Sequence, residues 1–146
     1  FNFTKLDNGV VFKDDNLTVE AFKVNHGAFE DAYGFRFTSN DKVIVFSGDT
    51  GPSKSLESYA KDADILVHEV YSYAGFLKKT QDWQIYHKSH HTSTYEVGEI
   101  ASRAKPKLLV LSHILFWGAD EQDILEETRT TFSGNIKIAE DLMVIK

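Results

Sequence analysis

The stretch that decides the fold is residues 43–52, VIVFSGDTGP. Its first four residues are apolar and predict a buried strand, which stops abruptly at a serine, a glycine and Asp49. A buried strand that ends in small residues and a carboxylate places that carboxylate at the edge of a sheet, where ligands collect. Residues 43–52 therefore predict a central strand with Asp49 at its functional end.

The same arrangement occurs twice more along the chain. Residues 64–69, DILVHE, predict a short apolar strand that ends in a His-Glu pair, and residues 107–113, KLLVLSH, predict another that ends in Ser-His. Helical patterns between these strands indicate β-α-β crossovers, which make the strands parallel and bring their C-terminal ends to one edge. The side chains expected to converge there are Asp49, His68, Glu69 and His113.

Composition limits the class of protein. The chain has 146 residues, of which 42% are hydrophobic and 26% charged, as in an ordinary globular domain. Its net charge of −6 disfavours nonspecific binding of nucleic acid over the whole surface. Because the sequence has no cysteine, disulfides, thiolate ligands and a cysteine nucleophile are excluded.

Location and completeness are less constrained by the sequence. No apolar run approaches the ~20 residues of a membrane span, so we expect a soluble protein that does not act on a membrane. A bacterial-type cytoplasm and a periplasm both fit, and the compartment stays unknown. The chain starts at Phe1 without a methionine, so we expect a fragment or a processed chain.

The remaining segments predict a mixed architecture. The opening block predicts a meander of antiparallel strands, and the later part alternates helices with strands. Ser93 and Glu96 have the spacing of a capping box at a helix start. The predicted strands outside those already described are 10–12, 17–24, 32–38, 135–139 and 142–145. The predicted helices are 53–62, a segment around 75–83, 93–104 and a last helix between Asp120 and Gly134.

Each candidate site residue also has a purely structural interpretation. Asp-Thr-Gly-Pro after a strand is common turn chemistry, and a histidine at a strand end is more often a satisfied core residue than a ligand. The joint occurrence of three strands that end on one edge in Asp, His-Glu and His favours the interpretation that these are functional residues. Further along, His90 and His91 precede a helix N-terminus, which attracts anions such as phosphate, although a polar helix entry explains them equally well.

The weaker candidates lie in the least regular part of the sequence. His26 has a weak case as a site residue and His87 the weakest, since a surface position explains both. Trp83 and Tyr86 are more typical of packing than of base stacking. The density of aromatic residues and histidines in residues 70–90 nevertheless suggests the rim of a pocket.

Several motifs closely resemble, in order and spacing, the C-terminal half of metallo-β-lactamase-fold hydrolases, particularly the ribonuclease Z and arylsulfatase-like branch. The motifs are Ser47-Gly48-Asp49-Thr50, His68-Glu69, His91-Thr92-Ser93 and Leu111-Ser112-His113. His26 followed by Tyr33-Gly34-Phe35-Arg36-Phe37 also resembles that branch. The resemblance covers residues 17–145. It implies an α+β or α/β fold that is half of an αββα sandwich, with one mixed β-sheet and helices on its outer face.

The resemblance also implies roles for the site residues. Asp49 would bridge two zinc ions and His113 would bind one of them, with manganese or iron as alternatives. His91 would assist departure of the leaving group, and Glu69 would orient His91. The two metals, ~3.5–4 Å apart, would activate a water for attack on a phosphodiester or related ester. The further candidates for the site are His26, His68 and His90.

The family's His-x-His-x-Asp-His motif, which supplies most metal ligands, is absent from these 146 residues. We therefore expect residues 1–146 to be a single domain that forms the C-terminal half of the fold, with the N-terminal half absent. An exposed apolar sheet face would then pack on that half or on a second copy in a homodimer. Alone, the chain is expected to bind zinc poorly and to be inactive.

The substrate and the alternatives remain open. Because the chain is acidic and lacks an obvious basic arm, a small ester or phosphodiester is expected before RNA. A second interpretation is a non-catalytic binding or assembly module that retains only the fold. A third is an unrelated α/β domain whose polar strand ends are coincidental.

Overall fold

The computed structural model describes residues 5–145. This part of the chain folds into a sheet whose seven strands lie side by side in chain order. The strands are β1 (Gly9–Lys13), β2 (Leu17–Lys23), β3 (Tyr33–Ser39), β4 (Val43–Phe46), β5 (Ile65–Tyr71), β6 (Leu108–Leu115) and β7 (Ile136–Ile138). The helices are α1 (Lys54–Tyr59), α2 (Tyr73–Leu77), α3 (Gln81–His90), α4 (Thr94–Ala104) and α5 (Glu121–Arg129). Among residues 5–145, no helix has the length and hydropathy needed to cross a membrane.

The direction of the strands changes at β4. From β1 to β4 neighbouring strands are antiparallel, as short turns allow. From β4 to β7 they are parallel, and each connection carries at least one helix. The C-terminal ends of β4, β5 and β6 therefore meet at one edge of a mixed sheet, which confirms the predicted α+β architecture.

The hydrophobic core lies on the helix-covered face of the sheet. In β4, β5 and β6 it contains Val45, Leu66, Val70, Leu109 and Leu111, all fully buried. They pack with apolar residues of α1, α4 and α5. Side chains alternate along a strand, so the residues between them point to the opposite face.

That opposite face is apolar and partly exposed. In the antiparallel ladder Phe12 pairs with Val19, Val19 with Phe37, and Phe37 with Ile44, and directly opposed residues share one face. The Phe37 and Phe46 rings pack edge to face at 5.6 Å. Phe12 is 49% and Phe46 43% exposed, so large aromatic surfaces on this side of the sheet contact solvent.

Two predicted elements differ from the structure. In place of one helix around 75–83 there are two, because the Ser72 side chain caps α2 and the chain becomes extended at Thr80 before α3 begins. The prediction of a strand at 142–145 is wrong. Leu142 has a left-handed φ of 63°, and Met143 N–H donates to the Glu140 carbonyl, so this segment turns instead.

Candidate active site

Asp49 and His113 face each other at the shared strand edge. The Oδ2 atom of Asp49 lies 3.7 Å from Nε2 of His113, and both side chains are about half exposed. His113 is the extra residue of a bulge: Glu69 pairs with Ser112, and the following pair is Val70 with Ile114. Its φ of 43° is rare for a residue with a side chain and re-aims the imidazole within β6, which resumes its pairing with β5 at Ile114.

A close backbone approach fixes the turn that carries Asp49. Gly48 has a φ of +61°, and a Cβ atom there would lie 2.5 Å from the Tyr33 carbonyl oxygen, so only glycine fits. On the other side of the turn, the Ser47 N–H donates to the Val67 carbonyl, and the Ser47 hydroxyl accepts from the Glu69 N–H. The position of the Asp49 carboxylate is therefore set by β3 and β5 together.

Glu69 joins this turn to the loop that carries His91. Its Oε1 accepts the N–H of Thr50, directly after Asp49, at 3.2 Å, and the N–H of Thr92, directly after His91, at 2.9 Å. The Thr92 hydroxyl also donates to the Thr50 carbonyl. One buried carboxylate thus holds the backbone beside both candidate site residues.

The second oxygen of Glu69 faces His91. Its Oε2 lies 3.4 Å from Nδ1 of His91, which is long for a good hydrogen bond but close enough for strong electrostatic interaction. With Nδ1 turned toward Glu69, Nε2 of His91 is the nitrogen left for a substrate. The His91 ring lies parallel to that of His113, with the ring centres 5.8 Å apart.

The pair shifts the ionisation of both groups. Burial opposes protonation of His91, but contact with Glu69 and the charges of Glu69 and Asp49 outweigh it, so the pKa of His91 lies above its ordinary value. Burial raises the pKa of Glu69, although His91 and the two backbone N–H donors favour the carboxylate. An imidazole that holds a proton beside a carboxylate suits proton donation near neutral pH.

His68 does not join the site, contrary to the expectation from its strand end. It is fully buried on the helix-covered face, because it alternates with Glu69 along β5. Its Nδ1 atom contacts the Glu69 carbonyl oxygen at 2.6 Å, and burial lowers the pKa of His68 to about 4. The prediction of convergence is therefore correct for Asp49, Glu69 and His113 and wrong for His68.

The two other candidate histidines lie beside His91 in different roles. His90 is the last residue of α3 and precedes α4, whose N-cap is Ser93; it is buried, and its Nδ1 contacts the Tyr86 carbonyl at 2.7 Å. His26 is half-buried, and its ring centre lies 5.3 Å from that of His91. Its Nδ1 contacts the His90 carbonyl, so it belongs to the rim of the site.

The structure brings one further histidine to the site. The ring of His87 lies 5.7 Å from that of His91 and 4.5 Å from that of Trp117, so a surface position does not describe it. The i, i+4 spacing of His87 and His91 was the signal in the sequence. It could not be interpreted while residues 84–90 were taken as irregular.

The donor set suits a metal ion. Zinc binds carboxylate oxygen and imidazole nitrogen at about 2.0–2.2 Å, so two ligands of one ion lie roughly 3–4 Å apart, as Asp49 and His113 do. Glu69, His91 and His113 also offer donor atoms within 4.8 Å of one another. The oxygens of Glu69 already serve two N–H groups and His91, so Asp49 and His113 are the better placed pair.

Comparison with known proteins gives a consistent family. Residues 1–114 match the model of the beta-lactamase superfamily domain. The chain is 36% identical over 106 residues to ribonuclease Z of Archaeoglobus fulgidus, which covers 72% of the chain and 32% of that protein. Ribonuclease Z of Bacillus velezensis is 25% identical over an alignment that covers 97% of the chain and 60% of the relative.

Solved structures share the fold. The metallo-beta-lactamase fold protein YhfI of Bacillus subtilis superposes with a TM-score of 0.70 at 25% identity, over 88% of this chain and 49% of YhfI. The short form of human tRNase Z has a TM-score of 0.66 at 22% identity, over 94% of this chain and 44% of that one. The chain thus spans between about a third and three fifths of the relatives that it matches. It belongs to the beta-lactamase superfamily domain family and, within it, is ribonuclease Z-like.

Proposed function

We propose that this chain is part of a metal-dependent hydrolase that cleaves a phosphodiester, with nucleic acid as the substrate class. The observation that carries the proposal is the placement of the Asp49–His113 pair, 3.7 Å apart, beside the buried pair of His91 and Glu69. The first pair has the chemistry of metal ligands and the second that of an oriented proton donor. The names of the ribonuclease Z relatives favour a nucleic-acid ester over the small ester expected from the acidic composition.

Each residue has a distinct task in this proposal. Asp49 and His113 hold the metal, for which zinc fits best and manganese or iron also fits; once bound, it supplies Lewis acidity and an activated water. His91 donates a proton from Nε2 to the leaving oxygen. Glu69 orients the imidazole and stabilises its positive charge. Its carboxylate also accepts the N–H groups of Thr50 and Thr92, which holds the backbone beside His91 close to the backbone beside Asp49.

The proposal includes a partner for the exposed sheet face. A catalytic zinc ion needs about three protein ligands, and Asp49 and His113 supply two. The aromatic surface around Phe46 lies on the side of the sheet away from the helices, next to the site. We propose that an N-terminal half, or otherwise a second copy of the chain, covers this face and supplies the remaining ligands.

The test uses the intact protein, meaning this chain together with its proposed covering half. The protein is loaded with zinc, and bis(p-nitrophenyl) phosphate is the substrate. Asp49→Ala should reduce hydrolysis to background, because one of the two proposed metal ligands would be lost. Asp15→Ala, at an exposed turn far from the site, is the matched control and should retain full activity. Hydrolysis that survives in Asp49→Ala contradicts the assignment. An intact wild-type protein that takes up no zinc would instead favour a non-catalytic assembly module.

A further inference from the structure

The helix α3 has two faces with different surroundings. His87 and His90 lie beside the rings of the candidate active site. Gln81, Ile85 and Lys88, spaced three or four residues apart, lie on another face and line an open groove of about 710 Å³ between α2, α3 and the start of α4. The two proposed metal ligands line a different cavity, on the open face of the sheet. The groove is therefore separate from the candidate active site.

Four aromatic side chains contribute to the walls of this groove. The rings of Tyr71 and Tyr73 lie on either side of Phe76, with ring centres 5.1 and 5.9 Å from that of Phe76 and interplanar angles of 29° and 24°. The ring of Tyr95 stands across that of Tyr73, at 5.1 Å and 82°. Aromatic rings that meet at right angles around a hollow suit a cation, because the faces of the rings carry partial negative charge.

The fold fixes the position of these rings. Tyr71 ends β5 and is 2% exposed, and Phe76 is 7% exposed. At the start of α2, the two oxygens of Glu127 accept the N–H groups of Tyr73 and Ala74, each at 2.9 Å. This contact ties α2 to α5. The aromatic walls are therefore in place before a ligand arrives, so binding costs little conformational entropy.

A fixed carboxylate supplies negative charge to the groove. Glu96 is half-buried in the lining, and its Oε2 accepts the N–H and the hydroxyl of Ser93 at 3.0 and 2.6 Å. No hydrogen bond to its Oε1 is found among residues 5–145, so this oxygen is available to a ligand. Burial, and after it the charge of Glu96, raise the pKa of Tyr71, which places this carboxylate beside the aromatic wall.

The other charges of the groove do not favour an anion. Lys88 lines the groove, but it is exposed and its long flexible stem allows the ammonium to turn into water. The start of α4 would attract an anion, but a capping box of Ser93 and Glu96 already occupies that end of the helix. An anion there would meet the Glu96 carboxylate. Charge complementarity therefore selects a cation.

We propose that the groove between α2, α3 and α4 binds a small organic cation of the quaternary ammonium type, held by the rings of Tyr73 and Tyr95 and by the Glu96 carboxylate. Such a cation has no N–H group to leave unsatisfied, and the attraction of the ring faces offsets the loss of water around it. The volume of the groove lies in the range of small-molecule sites. This site does not depend on the proposed hydrolysis.

The first test compares a cation with a neutral molecule of the same shape. The probe is choline, and the control ligand is 3,3-dimethylbutan-1-ol, in which a carbon atom replaces the charged nitrogen. Isothermal titration calorimetry on the intact protein should show choline binding that is about tenfold tighter than binding of the alcohol. Equal affinities would overturn the proposal, and so would the absence of choline binding up to roughly 50 mM.

The second test assigns the binding to the groove. Glu96→Gln keeps the capping box, in which glutamine also serves, and should raise Kd for choline about fivefold or more because the fixed charge is lost. Tyr95→Leu keeps an apolar side chain and should raise Kd between about two- and thirtyfold, the range for one cation–π contact. Lys88→Gln should lower Kd, because a like charge is removed. Glu99→Gln, exposed on α4, is the matched control and should change Kd less than about twofold.

The variants also provide the contradicting outcomes. Unchanged choline affinity in both Glu96→Gln and Tyr95→Leu would overturn the proposal, and circular dichroism shows whether each variant is folded. Weaker choline binding by Lys88→Gln would contradict the assigned charge preference of the groove. Because the calorimetry uses no phosphodiester, a protein that hydrolyses bis(p-nitrophenyl) phosphate but fails these tests contradicts only the cation site. A protein that binds choline as expected but lacks hydrolysis contradicts only the proposed function.

Discussion

His68 and Glu69 are consecutive residues of β5, yet their side chains lie in different environments on opposite faces of the sheet. His68 is enclosed in the core beneath the helices. Glu69 is equally buried, but it contacts His91 at the candidate active site. Both are ionisable, and burial shifts the pKa of each toward the neutral form. The difference is that Glu69 has several partners that favour its charged form, and His68 has a single backbone contact. The hydrogen-bonded partners, more than the degree of burial, thus distinguish a residue that can take part in catalysis from one that only packs in the core.

The largest effect is expected when the charge of Glu69 is removed and its shape retained. Glu69→Gln keeps an oxygen for the N–H groups of Thr50 and Thr92, so the fold and the metal content should persist. Hydrolysis by the intact protein should fall roughly 100-fold, because His91 loses the carboxylate that favours its protonated form. The alkaline limb of the rate against pH, where His91 loses the proton that it donates, should also move to lower pH. Glu99→Gln, on the exposed side of α4, is the control, and comparable activity in the two variants would contradict the role of Glu69.

The second effect is on stability and comes from His68. Its pKa is about 4 in the folded state, below the ordinary value of about 6.5 in the unfolded chain, so the unfolded state binds the proton first. The neutral form of His68 therefore contributes fully to the free energy of unfolding above about pH 6.5. The free energy of unfolding falls as the pH drops from 6.5 toward 4. Within this window, each pH unit should lower the folding equilibrium constant by up to about tenfold through His68 alone.

Urea unfolding of the wild type and of His68→Gln at pH 7, 6 and 5 measures the contribution of His68 to the pH dependence of stability. The variant lacks the titrating group, so its stability should depend less steeply on pH, although other groups still contribute. Parallel pH profiles for the two proteins would show that His68 is not held in its neutral form by the core.

These two residues also show what the sequence could and could not predict. Strand periodicity and the crossover rule were enough to bring Asp49, Glu69 and His113 to one edge, because parallel strands share the direction of their ends. The alternation of side chains should have excluded His68, since it stands one residue before Glu69 on the same strand. The bulge at His113 had no signal, because its left-handed φ is imposed by the ladder with β5 and not by the residue type.

The C-terminal part of α3, which carries His87 and His90, was not predicted as a helix, for a different reason. The helix is polar over most of its length, so it lacks the apolar periodicity by which amphipathic helices are recognised. His87 and His91 fall on one side of it only when the helix extends to His90. Where a helix is mostly exposed and has little apolar surface, hydrophobic patterning gives its boundaries poorly.

A smaller effect, on stability, should come from the Thr92 hydroxyl, which links the loop after His91 to the turn after Asp49. Thr92 is fully buried, and its hydroxyl donates to the Thr50 carbonyl. Thr92→Val keeps the shape but leaves that carbonyl without this donor, at a cost of about 1–3 kcal/mol in the free energy of unfolding. Thr92→Ser keeps the donor and should recover most of this loss in chemical denaturation. Equal destabilisation by both variants would indicate that the methyl group, not the hydroxyl, is important.

The smallest effect in the 146-residue chain is expected on the exposed face of the sheet. Phe46→Ala removes a ring that is already 43% exposed, so it should change the free energy of unfolding by less than about 1 kcal/mol. Phe22→Ala, on the helix-covered face with its ring 4.3 Å from Tyr59, should cost about 3–5 kcal/mol. In a protein that includes the proposed covering half, the two costs should become similar, because that half would bury Phe46 as the helices bury Phe22. If Phe46→Ala remains nearly neutral there, this face stays open to solvent, and the remaining metal ligands must reach Asp49 and His113 from the rim of the sheet instead.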